Sequence, residues 1–165
     1  MQNYHFKMME DGNYAVMGYV GDEKEPVIPE THQGAKVTVL YDQLFEGHEE
    51  IITVHIPDCV TDLGEHVFDG CKNMHHLKLP ADLLYFWGYT FVRCGLEEIT
   101  IPDKVATIPS FAFKDCKQLK KVVCGSGLKR INAWAFAGCD KLDQLFYGPG
   151  VQVSPKLFEE KKLNT

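Results

Sequence analysis

The sequence lacks several features that define whole classes of protein. No apolar run reaches eighteen residues, so no transmembrane helix is predicted. Residues 1–10 lack the charged start and apolar core of a signal peptide. Positive charge is also scarce, because 17 Lys and Arg stand against 23 Asp and Glu, for a formal charge of −6. This balance predicts no nucleic-acid partner and no insertion into a membrane, since nucleic acids and anionic membrane surfaces both attract positive charge.

The motifs of common enzymes are absent as well. The sequence contains no Gly-x-Gly-x-x-Gly, no P-loop, no Gly-x-Ser-x-Gly and no His-Glu-x-x-His. Its six cysteines form no Cys-x-x-Cys pair, which removes the strongest sequence signature of a zinc or redox site. We therefore predict a protein that is not an enzyme and that carries no cofactor.

What the chain does contain is a repeat of 22 or 23 residues. Three markers keep the same register along it, which indicates an array of stacked units. The first marker is a phenylalanine, at Phe45, Phe68, Phe91, Phe113, Phe136 and Phe158. The second is a cysteine three residues later, at Cys71, Cys94, Cys116 and Cys139. The third is a Pro or Gly that follows an apolar alternation, at Pro29, Pro57, Pro80, Pro102, Gly125 and Gly148.

Each unit begins with a short strand signal. Residues 97–102 read Glu-Glu-Ile-Thr-Ile-Pro, an alternation that predicts a strand, which the proline then ends. The rest of the unit is too short for a full helix. A period of 20–29 residues with one strand per unit is the leucine-rich-repeat signature. The pattern predicts a β-rich (α/β-type) solenoid with a parallel β-sheet on one face and short helical turns or loops on the other.

The unit resembles one family in particular. Residues 96–116, LEEITIPDKVATIPSFAFKDC, carry the pattern Leu-x-x-Ile-x-Ile-Pro-x-x-Val-x-x-Ile-x-x-x-Ala-Phe-x-x-Cys, which resembles the BspA-like leucine-rich-repeat family. The resemblance covers about residues 27–158. Cys124 and Gly125 replace Ile-Pro in one unit, and the last unit lacks the cysteine.

The chain divides into three predicted parts. Residues 1–26 contain two strand-like runs around Glu10-Asp-Gly-Asn13, which predict an N-terminal β-hairpin cap. Residues 27–158 hold five to six repeats, of which the first is longer. Residues 159–165 form a charged C-terminal tail.

The recurring Phe and Cys positions are interpreted as a buried ladder. A reactive thiol would need one special environment, whereas these cysteines recur in equivalent ones, and free Cys is among the most buried residue types. Disulfides between stacked cysteines are an alternative, disfavoured because their Cβ vectors run parallel. Cys124 is predicted to lie in the core and Cys59 to be partly exposed. The predicted core ladder comprises Phe68, Phe91, Phe113, Phe136, Cys71, Cys94, Cys116 and Cys139.

Alternation also predicts which strand residues point away from the core. One side should face inward, including Val54, Leu77, Cys124 and Tyr147. The other side forms the exposed concave face, where solenoids usually bind their partners. This candidate partner-binding face comprises Thr53, His55, His76, Lys78, Glu98, Thr100, Lys121, Val123, Gln144 and Phe146.

Two further features have a binding interpretation. His55 and His76 are diagonal neighbours on the concave face, but a metal site there lacks a third ligand and Lys78 would repel a cation, so we expect no metal. A candidate convex aromatic stripe comprises His66, Trp87, Tyr89, Phe111 and Trp134. The stripe is interpreted either as packing between turns or as an exposed patch that binds protein or glycan.

The family resemblance implies a bacterial surface or secreted protein that recognises protein partners, with adhesion to host or extracellular-matrix proteins as one role. The alternative is an intracellular scaffold or regulatory protein with reduced thiols. Residues 1–10 contain no signal peptide, so a complete chain would be cytoplasmic, whereas a trimmed chain leaves the surface location open.

Overall fold

The chain is a short β-solenoid of about six turns. The computed structural model describes residues 2–158, which contain twelve strands and no helix. The fold class predicted from the repeat is confirmed, and the segments predicted as short helical turns or loops are non-helical in the described residues. In these turns, N–H groups donate to carbonyls three residues back, as from Cys71 to Phe68 at 3.2 Å. The predicted tail at 159–165 lies outside the described residues.

The N-terminal strands form an antiparallel pair that packs on the first turn. β1 (Asn3–Met8) and β2 (Tyr14–Val20) are joined by a tight loop in which the Asn13 N–H donates to Asp11 Oδ1 at 2.9 Å. β2 then pairs in parallel with β4 (Ala35–Leu40), while the short β3 (Thr31–His32) pairs antiparallel with β4. Through β2, the hairpin covers the first edge of the solenoid.

A second set of strands, which the sequence did not reveal, runs along one side. β5 (Asp62–Leu63) and β6 (Tyr85–Phe86) continue the β4 sheet in parallel. β8 (Thr107–Ile108), β10 (Arg130–Ile131) and β12 (Gln152–Val153) form a further parallel sheet. Each of these strands β5, β6, β8, β10 and β12 has only two residues, which is too short for an alternation signal. We call these strands, with β4, the lateral side.

The predicted concave sheet is regular only toward the C-terminus. β7 (Glu98–Ile101), β9 (Lys121–Cys124) and β11 (Gln144–Phe146) pair in parallel. The strands expected at 52–57 and 75–80 follow the same course but are not regular strands, and only an isolated bridge joins Val27 to His55. The prediction of a regular strand in every repeat was therefore wrong for these two units.

The core is one continuous column of apolar side chains. Phe45, Phe68, Phe91, Phe113 and Phe136 are fully buried, and consecutive rings stack with centroids 4.8–5.8 Å apart. Aromatic pairs of this kind add about 0.5–1.5 kcal/mol each beyond their buried area. The stack aligns successive turns along the array.

At the edges of this column, one inward prediction fails and another holds in part. Tyr147 was expected to point inward but is 47% exposed, since the described chain supplies no further turn to cover it. Cys124 was expected in the core; it packs against the core as its inward position predicts, but it is only half-buried. Cys59 is also half-buried, as expected. Among residues 2–158 there is no helix long and apolar enough to cross a membrane.

Candidate functional site

A broad concavity lies on the predicted concave face. It is an open groove of about 1120 Å³ that runs across successive turns. The register of the paired strands sets the positions of the side chains in the groove. Glu98 pairs with Lys121 and Thr100 pairs with Val123 on neighbouring strands. Gln144 and Phe146 extend the same two rows on the next strand. Of the ten predicted concave residues, the eight that line the groove are Thr53, His55, His76, Lys78, Glu98, Thr100, Lys121 and Val123.

The exposed residues of the concave face differ from one end to the other. His55, His76, Lys78, Glu98 and Thr100 are exposed, while Thr53, Lys121 and Val123 are half-buried. Near the C-terminal end the face becomes apolar, and Phe146 is 53% exposed beside the exposed Gln144. Val27, 48% exposed, adds an apolar side chain at the other end. The face therefore offers a polar centre between two apolar ends.

The histidines do not meet in one cluster. His55 Nε2 lies 3.4 Å from Glu25 Oε2, on the N-terminal side of the groove. The neighbouring His75, not His76, approaches a carboxylate, with its Nδ1 3.8 Å from Glu97 Oε1. Within residues 2–158, no group of three or more His, Cys, Asp or Glu side chains could hold a metal ion.

The cysteines of the core ladder have a specific structural role. All four are buried and unpaired, and each thiol donates a hydrogen bond to a phenylalanine carbonyl in the preceding turn. The bonds run from Cys71 to Phe45 at 3.2 Å, from Cys94 to Phe68 at 3.4 Å, from Cys116 to Phe91 at 2.9 Å and from Cys139 to Phe113 at 3.0 Å. A small apolar residue that also carries a donor suits this position.

Three of these thiols, those of Cys71, Cys94 and Cys116, are poor nucleophiles. Burial raises the pKa of Cys71 to about 12 and holds the pKa values of Cys94 and Cys116 well above the usual value. Since the thiolate is the reactive form, the raised pKa keeps these cysteines inert at neutral pH.

Four residues of the predicted aromatic stripe form a stack on the convex side. His66 stacks on Tyr89 at 5.2 Å, Tyr89 on Phe111 at 5.2 Å, and Phe111 on Trp134 at 5.6 Å between ring centroids. His66, Tyr89 and Phe111 are half-buried, and Trp134 is 38% exposed. Most ring faces are therefore covered by a neighbouring ring, which favours the packing interpretation for these four residues.

Trp87 does not join this stack. It lies on the lateral side, 54% exposed, with its ring 6.2 Å from that of Tyr85. The grouping of Trp87 with the stripe was based on proximity in sequence. The structure separates the two features because Trp87 directly follows β6.

The stack residues share an unusual backbone conformation. The φ angles of His66, Tyr89, Phe111 and Trp134 are 56°, 61°, 62° and 59°, in the left-handed region that bulky residues rarely adopt. Gln43, the equivalent residue one turn earlier, has φ 61°. Inter-turn hydrogen bonds hold this geometry, as from the Phe111 N–H to the Trp134 carbonyl at 3.2 Å. This conformation was not predicted, because none of these positions is a glycine.

One ion pair on the convex side was also not predicted from the repeat pattern. Asp69 is buried, and its carboxylate accepts hydrogen bonds from Arg93 Nε at 2.9 Å and Nη2 at 3.0 Å. Its Oδ2 also lies 2.8 Å from His66 Nδ1. The pair raises the pKa of the Arg93 guanidinium. A bidentate contact of this type fixes the relative position of two turns.

The fold and the groove together define a leucine-rich-repeat solenoid. The chain belongs to the BspA-type leucine-rich-repeat family: the family model described as "BspA type Leucine rich repeat region (6 copies)" matches residues 38–164. This confirms the family predicted from residues 96–116.

Solved structures of bacterial proteins share the fold. A leucine-rich-repeat protein of T. pallidum matches with a TM-score of 0.75 and 22% identity over 91% of this chain and 82% of that one. A leucine-rich cell surface protein of Faecalibacterium prausnitzii matches with a TM-score of 0.64 and 19% identity over 86% of this chain and 52% of that one. A leucine-rich-repeat protein of Bacteroides capillosus matches with a TM-score of 0.61 and 26% identity over 73% of this chain and 93% of that one.

This chain spans only about half of the F. prausnitzii protein. No curated protein matches the chain.

Proposed function

We propose that this protein is a non-enzymatic protein-recognition module whose partner docks in the concave groove. The observation that carries the proposal is the groove itself, about 1120 Å³, open across successive turns and lined by exposed side chains from several repeats. Solenoids use such extended concave surfaces to bind other proteins.

The composition of the concave face, which contains the groove, suits a protein partner. Its polar centre, with Lys78 and Lys121 against Glu98, supplies charges that orient a partner. Phe146 provides an exposed aromatic anchor at one end, and aromatic residues are enriched in interface hot spots. The inert, buried thiols support a role without nucleophilic chemistry.

We further propose that the protein acts at the bacterial surface or in secreted form, in recognition or adhesion, with a host or extracellular-matrix protein as one kind of partner. The support is the family and the F. prausnitzii relative, whose name describes it as a cell surface protein. Mild proteolysis of intact source cells tests the location. We expect the protein to be cleaved there, and complete protection in intact cells with cleavage after lysis would contradict the surface role.

Capture of partners tests the binding face. The wild type and a His76→Ala/Phe146→Ala variant are immobilised, and the proteins captured from host extracts are compared by mass spectrometry. A matched control is Gln118→Ala/Lys141→Ala, which removes an exposed hydrogen-bonded pair, 2.8 Å apart, outside the groove. We expect the concave-face variant to lose the captured protein and the control to keep it. Equal capture by all three would assign binding to another surface.

A further inference from the structure

The lateral side exposes three aromatic side chains close to one another in the fold. Tyr41 is 47% exposed, Tyr85 is 48% exposed and Trp87 is 54% exposed. Leu40, Leu63 and Phe86 pair in register on β4, β5 and β6. The residues that follow them, Tyr41, Gly64 and Trp87, therefore occupy the same position on three consecutive turns. Tyr41 and Trp87 flank a position that has no side chain.

A carboxylate occupies the space over that glycine. A Cβ at Gly64 would collide with Asp42, whose Oδ1 and backbone nitrogen lie there. Asp42 Oδ1 is held by the Glu65 N–H at 2.9 Å. Two strand spacings separate the backbones of Tyr41 and Trp87 by roughly 10 Å. Asp42 therefore lies against the middle one of these three turns, and a cation within about 6 Å of an aromatic ring is attracted to the face of that ring.

A second carboxylate lies beside the rings. Asp62 pairs directly with Tyr85 across the sheet. A hydrogen bond to this carboxylate, together with its negative charge, raises the pKa of the Tyr85 hydroxyl. Within residues 2–158, no lysine or arginine forms an ion pair with Asp42, Asp62 or Glu65. The aromatic rings therefore border negative charge that the described chain does not neutralise.

We propose that this lateral aromatic site, formed by Tyr41, Tyr85, Trp87, Asp42 and Asp62, binds a lysine or arginine side chain of a protein partner. The ring faces attract the cation, and the carboxylates supply the opposite charge. A neutral or acidic guest would bury the carboxylates without a partner, which costs free energy. The site is separate from the concave groove.

The test uses Trp87 as its own reporter. In a Trp134→Phe background Trp87 is the remaining tryptophan, so its indole N–H gives one identifiable signal in a ¹H–¹⁵N spectrum. The probe is the capped peptide Gly-Lys-Gly-Lys-Gly, and its control is the same peptide with both lysines acetylated. We expect a saturable shift with the lysine peptide that weakens as salt rises. We expect no shift with the acetylated peptide, which keeps the stem and loses the charge.

Substitutions then measure how much each side chain of the site contributes to peptide binding. Asp62→Asn, Asp42→Asn and Trp87→Ala are each expected to weaken binding by about two- to fivefold, the equivalent of about 0.5–1 kcal/mol for an exposed contact. The backbone N–H of Gly64 reports binding in the Trp87→Ala variant, and urea unfolding confirms that each variant is folded. Phe146→Ala, on the concave face, should bind the peptide as the parent does.

Four results would overturn the proposal. They are equal shifts with the lysine and acetylated peptides, no shift with the lysine peptide, a response confined to neutral oligosaccharides, or stronger binding to phosphatidylcholine vesicles than to the peptide. The last two would assign the same aromatic rings to a glycan or to a lipid headgroup.

Discussion

The thiol of Cys116 donates a hydrogen bond of 2.9 Å to the carbonyl oxygen of Phe91, one turn earlier in the solenoid. The same carbonyl accepts the N–H of Cys94 within its own turn, at 3.2 Å. Each recurring Phe carbonyl from Phe68 to Phe113 therefore accepts two hydrogen bonds. One comes from the N–H of the cysteine in its own turn, and the other comes from the thiol of the cysteine in the next turn. The recurrence of cysteine has a packing and hydrogen-bonding cause.

We expect Cys116→Ala to lower the free energy of unfolding by about 1–2 kcal/mol, because it removes a buried side chain and its hydrogen bond. The measurement is urea unfolding at pH 7. Cys124→Ala is the matched control, since Cys124 is only half-buried, and it should cost less. Equal losses for the two variants would mean that the inter-turn hydrogen bond contributes nothing measurable.

The buried thiols also predict sensitivity to alkali. Burial raises the pKa of Cys116 in the folded protein, while the unfolded thiol ionises near its ordinary value of 9.0. Above pH 9 the unfolded state therefore binds fewer protons than the folded state, so stability falls as pH rises, by up to about 1.4 kcal/mol per pH unit for each such thiol. Below pH 9 this contribution is constant.

Urea unfolding at pH 8, 9, 10 and 10.5 measures the effect. The wild type should lose stability more steeply than Cys116→Ala above pH 9, with parallel curves below it. If the two curves stay parallel through pH 10.5, the titration of Cys116 does not control alkaline stability.

The phenylalanine column should be the most sensitive part of the core. Phe113 is fully buried and stacks on Phe91 at 4.8 Å and on Phe136 at 5.4 Å. Phe113→Ala should cost about 3–5 kcal/mol and Phe113→Leu substantially less. The control Phe146→Ala, on the exposed face, should stay within about 0.5 kcal/mol of the wild type in thermal or urea unfolding. A mild effect at Phe113 would contradict a continuous packed column.

At an exposed residue with a left-handed backbone conformation, we expect a substitution by glycine to raise stability. Gln43 is exposed with φ 61°, and glycine adopts that angle without the cost of about 1 kcal/mol or more that other residues incur. Gln43→Gly should therefore raise the unfolding midpoint. Tyr89→Gly should lower it, because Tyr89 stacks on both His66 and Phe111. A destabilising Gln43→Gly would show that the angle carries little strain.

How far the sequence predicted this structure depends on the length of each signal. The repeat markers extend over more than 100 residues, so the stacking of Phe68, Phe91 and Phe113 followed from spacing alone. The lateral strands have two residues each, and no alternation can be recognised over two residues. The proposed lateral aromatic site was missed for this reason, since only the pairing of those strands brings Tyr41 and Trp87 to the same position on nearby turns.

Other features of the structure were not predicted correctly for local reasons. Asp69 and Arg93 occupy different positions within their repeats, one and two residues after the marker phenylalanine, so a search for identical positions did not connect them. Tyr147 follows the inward pattern, but burial requires a covering turn as well as the correct alternation. The left-handed angles were unexpected because sequence signals for positive φ come from glycine and asparagine.

The shared Phe carbonyl has a consequence for how such a protein can change in length. An insertion of one or two residues within a turn would move its cysteine away from the acceptor and rotate its phenylalanine out of the stack. Adding or removing a whole unit would recreate the same pair of bonds at the new junction. The length of this molecule can therefore change by whole repeats of 22 or 23 residues. Duplication of one repeat is the change that the hydrogen bonds between turns tolerate best.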